Sequence, residues 1–100
     1  MTATCHGTVA TANAGRYLQQ LCKHWSHKYP VAFGPEQGVI DLPRGRVAMA
    51  AAPERLDLTL SPASDGEAAT LRQVVEDHLN RFAFREAPLA FAWDEGEASQ

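Results

Sequence analysis

From Ser64 to Glu86 the chain reads SDGEAATLRQVVEDHLNRFAFRE, and its apolar positions return at helical spacing. With Leu71 set at zero, Ala68, Val75, Leu79 and Phe82 fall within about 80° on one side and Val74 about 60° on the other. The spacing predicts a helix over this stretch, with His78 inside its apolar arc. Ser64 followed by Glu67 has the form of a capping box, and Asp65 and Glu67 put negative charge at the end the helix dipole favours. A second helical pattern runs from Ala14 to about His27, with Asn13 as the expected N-cap and Pro30 as the stop. On that wheel Ala14, Leu18, Leu21 and Trp25 lie between about 40° and 100° from Tyr17 and define the buried stripe. Cys22 and His24 sit on opposite edges of it, and His27 belongs with Gln20 on the wet side.

Elsewhere the period is two. Thr4 to Ala12 alternates Cys5, Gly7, Val9 and Thr11 with His6, Thr8, Ala10 and Ala12, which reads as a strand. After Pro30 come Val31 to Phe33, then Val39 to Leu42 beyond a turn at 34–38, with Ile40 and Leu42 on one face and Asp41 on the other. Arg46 to Ala51 follows the turn Pro43-Arg44-Gly45, with Val47 and Met49 inward. Leu56 to Leu60, after the turn at 52–55, is the cleanest alternation in the chain. Leu89, Phe91 and Trp93 alternate in a last strand after Pro88. The resulting order is β-α-β-β-β-β-α-β. The simplest packing is an α+β two-layer sandwich, with two helices on one face of a mostly antiparallel sheet.

One hundred residues suit a single domain spanning 1–100, with an ordered core over about 3–94 and an acidic tail that frays. The composition, 45% hydrophobic and 21% charged, argues against disorder. A net charge of −3 gives no reason to expect nucleic acid. There is no apolar run of the ~20 residues a membrane span needs, and MTATCHGT has none of the regions of a signal peptide, so the expected location is cytoplasmic. Cys5 and Cys22 belong to different elements and are expected as free thiols, Cys22 partly buried.

Candidate chemistry begins with His78. An imidazole in an apolar layer is either a core residue bonded to a hydroxyl or carbonyl, or a group looking into a cavity; His6 is one conceivable partner. In Cys22-Lys23-His24-Trp25-Ser26-His27, Cys22 and His24 are about 160° apart around the axis, so one ion cannot take both. His24 and His27 can share an ion only with a further ligand from elsewhere. Arg44 and Arg46 flank a turn glycine, where two guanidiniums can clasp an anion or simply be solvated. There is no GxSxG, P-loop, GxGxxG or HExxH motif.

Tyr17 to His24, then His27-Lys28 before Pro30-Val31, together with His78 to Glu86, resembles the bacterial family known as domain of unknown function 2218, over about Thr2 to Trp93. The resemblance implies an association with siderophore-interacting reductases and iron handling, and carries over no catalytic residue. The combined expectation is a non-enzymatic binding or accessory domain, its ligand and any cofactor unknown. Its site lies between the helix ends and uses His24, His27, His78, Arg81 and Arg85, with no metal ligands assigned. The expected partner is a siderophore-interacting reductase or a small anionic ligand. A small enzyme with a histidine acid/base, and a homodimer paired through the edge strand Leu89 to Trp93, are the alternatives. If Phe82 is as buried as the helix period requires, Phe82→Ala should remove about 3 to 5 kcal/mol.

Overall fold

The computed structural model describes residues 4–94, with only the backbone of Asp65, so the expectations for the tail at 95–100 and for the Asp65 charge lie outside the described residues. The elements are β1 (Cys5–Ala10), α1 (Ala14–Ser26), β2 (Val31–Phe33), β3 (Gln37–Leu42), β4 (Gly45–Ala52), β5 (Arg55–Pro62), a 3-10 turn (Asp65–Glu67), α2 (Ala68–Phe82) and β6 (Phe91–Asp94). This is the order that the alternation of periods predicts. All strands join one antiparallel sheet in the spatial order β2-β3-β4-β5-β1-β6. The middle four strands form a meander because their connections are too short for anything but hairpins. β1 then docks along β5, and β6 closes onto β1.

Both helices lie on one face of the sheet. Their stripes meet the inward leucines of β5 with Val9, Ile40, Val47 and Met49, in one continuous core. Leu18, Leu21, Leu56, Leu58, Leu60, Leu71 and Leu79 are fully buried there. Cys22 is wholly buried, more deeply than the wheel implies, because β3 offers it a glycine. A Cβ on Gly38 would lie 2.6 Å from the Cys22 sulfur, so α1 approaches the sheet closely at this point. Burial pushes the Cys22 thiol up to about 11, and both cysteines are free.

Four local expectations change. Ser64 makes no side-chain cap, and Glu67 turns away to bond Arg44 at 2.9 Å, so the first turn is 3-10 and α2 begins at Ala68. Asn13 makes no side-chain cap either; its amide is spent on Glu86. α2 stops at Phe82, four residues early, in turns closed by Glu86 and Ala87 N–H groups on the Ala83 carbonyl. The chain must reverse here, since Pro88 cannot continue a helix and Leu89 has to reach the sheet. Phe82 is only half buried. Phe82→Ala is therefore expected to remove about 2 kcal/mol, near half the value for a sealed ring, as read by urea unfolding.

No helix among the described residues is long and apolar enough to cross a membrane.

Candidate functional site

The helices run antiparallel. Trp25, near the end of α1, meets His78 at 4.8 Å between ring centroids, while Glu86, beyond α2, reaches Asn13 and Tyr17 at the start of α1. Aromatic and imidazole rings line the seam between them. His24 lies 5.3 Å from His78 and meets the ring of Phe82 edge-on at 5.7 Å. The structure thus joins the two histidines singled out in the sequence, through α1 and α2 rather than through β1. His6 stands exposed on the opposite face of the sheet, 3.4 Å from the Thr59 hydroxyl, and is no partner for His78.

His78 is half buried, and its Nδ1 is 2.8 Å from the Val74 carbonyl oxygen. A carbonyl only accepts, so Nδ1 carries the proton and the neutral ring keeps Nε2 as a bare acceptor. Nε2 has no hydrogen-bond partner among the described residues. His24 is held below the usual imidazole value, first by partial desolvation and then by the charges of His78, Arg81, His27 and Lys28. Over the interval between that lowered value and 6.5, the unfolded chain binds more protons than the folded one. Stability therefore rises with pH across the interval, and what this residue contributes is lost as pH falls below it. Unfolding midpoints at pH 7.5 and 5.5 should show this loss in the wild type and a smaller one in His24→Gln.

Farther along the seam a hollow of about 310 Å³ opens between α1 and the segment after α2. Arg16, Gln20, Phe82, Phe84 and Arg85 line it, and the Phe84 ring is 72% exposed. Its base is built on Glu86. That carboxylate accepts from the Thr11 hydroxyl at 3.0 Å, the Asn13 amide at 2.8 Å and the Tyr17 hydroxyl, and these bonds hold it below the usual carboxylate range. Burial and the neighbouring carboxylate push the Tyr17 phenol up. Asn80 Oδ1 takes the Leu89 N–H at 2.8 Å, so the segment carrying Phe84 and Arg85 is fixed at two points.

Of the expected site residues, His24, His78 and Arg81 cluster at the middle of the seam, and Arg85 lies over the adjoining hollow. His27 is exposed at the end of α1, close enough for its charge to be felt at His24. Arg44 and Arg46 form no joint clasp, since Arg44 pairs with Glu67 and Arg46 with Asp41. Arg16 and Gln20, on the helical face of His27, line the hollow although they are not among the expected site residues; Glu86 carries no local signal of its role. No group of three His, Cys, Asp or Glu side chains is placed to hold a metal ion among the described residues.

A family model described as "Uncharacterized protein conserved in bacteria (DUF2218)" matches residues 6–94. The chain belongs to this family. Its fold is similar to that of PA4090 from Pseudomonas aeruginosa, solved by NMR, at 35% identity and a TM-score of 0.75. That match covers 91% of this chain and 94% of the other. A comparison with curated proteins finds no match. The family match runs from the second residue of β1 to the end of β6, and includes the whole seam between α1 and α2 and the Glu86 tether.

Proposed function

We propose that the chain is a non-enzymatic binding or accessory domain, cytoplasmic, whose site is the seam between α1 and the end of α2 and whose ligand is a small multiply charged anion. The observation that supports this is a segregation of charge. Of the nine Lys and Arg residues, Arg44, Arg46 and Arg55 are paired with carboxylates and Arg72 lies over Trp93. The remaining five, Arg16, Lys23, Lys28, Arg81 and Arg85, form no ion pair among the described residues, and all of them belong to α1, α2 or the turns just beyond them. In a chain of net charge −3 such a group of cations outnumbers the one carboxylate of the hollow, Glu86, whose oxygens are already turned to Thr11, Asn13 and Tyr17, and the surplus draws in an anion and strengthens its hydrogen bonds.

His24 and His27 add donors beside Arg81 and Arg85, His78 supports His24 from beneath, and Phe82 and Phe84 supply flat apolar surface. A ferric siderophore complex, negatively charged at its oxygens and apolar at its ligand rings, suits this combination, in keeping with the setting of iron handling and a siderophore-interacting reductase as partner. Calorimetric titration with ferric tris-catecholate and ferric tris-hydroxamate complexes, and with the metal-free chelators, tests the reading. Binding tighter than millimolar that weakens with salt, and that falls about tenfold in Arg85→Gln and in His24→Gln, is expected. Equal affinity in both variants, or no binding tighter than millimolar, removes it.

A homodimer is the second reading, favoured by the position of β6 at an edge of the sheet, where its outer backbone groups are open to pairing. Solution mass by light scattering decides it.

A further inference from the structure

On the other side of His78 from the cationic hollow, the structure has a larger open pocket of about 490 Å³ between the helix pair and the β3–β4 turn. We propose that it is a separate binding site, for a small aromatic acid carrying a ring hydroxyl and a single negative charge. It does not depend on the seam reading above.

The walls select the ring. Tyr29 and the edge of the buried Trp25 present aromatic surface, and Leu42, Pro43 and Val74 add an apolar wall against which one face of a flat ring can pack. Two polar groups then fix orientation. The first is His78, which lines this pocket; because its Nδ1–H is committed to the Val74 carbonyl, Nε2 is an acceptor only in the neutral ring and has no partner among the described residues. A hydroxyl can satisfy that nitrogen, and a second acceptor cannot.

The second is Arg44, whose Nη1 donates to Glu67 at 2.9 Å, while half of its side chain remains open to solvent. A guanidinium has five N–H donors, so the edge not used by Glu67 is free to take a carboxylate. Glu67 also sets the charge. With one cation and one anion at the rim, the pocket has little net field, and a phosphate dianion or a polyanion would meet the Glu67 carboxylate without compensation. A single carboxylate placed on the far edge of Arg44 avoids it. The same ion pair ties the β3–β4 turn to the start of α2, so the pocket's rim is held in place before a ligand arrives.

The test is a titration of the nitrogen-15-labelled full chain with 4-hydroxybenzoate, benzoate and inorganic phosphate, followed by amide and indole shifts. Saturable shifts centred on the Trp25 indole and the amides of Tyr29, Arg44, Val74 and His78 are expected, with 4-hydroxybenzoate binding about tenfold tighter than benzoate. His78→Phe preserves the ring packing against Trp25 and should abolish the preference for the hydroxylated acid. Arg44→Gln should weaken both acids about tenfold. Phosphate should leave these resonances in place. Shifts centred on Arg16 and Arg85, no saturation at low-millimolar acid, or a hydroxyl preference that survives in His78→Phe would each overturn the proposal. Shifts centred on Arg16 and Arg85 would place the acid in the seam hollow instead, and the other two results leave the seam reading as it stands.

Discussion

Replacing Gly45 by alanine is expected to destabilise the fold by about 3 kcal/mol, measured by urea unfolding. Gly45 opens β4 with φ +150, a backbone conformation that L side chains rarely adopt. Such a conformation alone is worth about 1 to 3 kcal/mol against any other residue. Space compounds it. A Cβ there would lie 2.5 Å from the Ser61 carbonyl oxygen and 2.8 Å from the Pro62 Cα, both main-chain atoms of the paired strand β5, and 3.0 Å from a Leu71 methyl of α2. Main chain in a ladder cannot rotate aside, so relief means parting β4 from β5 at the register pair Gly45 and Pro62. Gly34→Ala is the control, because nothing lies within 4 Å of its added methyl, and it should change stability by no more than about 1 kcal/mol in either direction.

Glu86→Ala is the second large effect, expected at about 2 kcal/mol with a change in the pH profile. The carboxylate is the shared acceptor for the Thr11 and Tyr17 hydroxyls and the Asn13 amide. Removing it leaves Thr11 and Tyr17, both buried, with donors that water reaches poorly. Because these hydrogen bonds depress the carboxyl in the fold, its contribution is present above the ordinary value of 4.5 and is lost as pH falls through the lowered one. Wild type should therefore lose stability in a step below pH 4.5 that the variant lacks, distinct from the His24 loss nearer neutrality. Tyr17→Phe removes one donor and leaves the carboxylate, and should weaken the fold by about 1 kcal/mol.

Periodicity was enough to place both helices, the six described strands and the buried faces of the helices and of β3, β4 and β5, because the switch from 3.6 to 2 is written in the positions of Leu, Val and Ile. Alternation alone does not choose the inward face of β1, which is the Val9 side and not the His6 side. Periodicity also put His24 at an edge of one apolar stripe and His78 within the other, and the antiparallel packing of the two helices brings them 5.3 Å apart. Caps were not legible. Ser64 with Glu67, and Asn13 before Ala14, have the right residues at the right spacing, yet the side chains turn to distant partners: Glu67 accepts from Arg44, and Asn13 donates its Nδ2–H to Glu86. Those rivals are far off in sequence, and a capping preference of about 1 kcal/mol is small enough for a charged partner to override. The early end of α2 has the same origin, since the turn that brings Glu86 to Tyr17 cannot be read from the wheel. Phe82 falls near the centre of the predicted arc and is still only partly buried, because its ring turns to His24 and the hollow in the seam while Leu79 and Ala83 take the core. The group of unpaired cations was hidden by the total of −3, which averages it with carboxylates on β3, β5, α2 and the turns.

The register between β1 and β6 has a consequence for how this fold can be carried. His6 pairs with Asp94, so the first and last described strands leave the same end of the sheet side by side. A longer polypeptide could enter and exit the unit through neighbouring points, with the seam and its cations on the helical layer and the two attachment points together at one sheet edge. An insertion of this unit into a host protein would therefore ask the host only for a surface loop whose two stems are a strand's width apart.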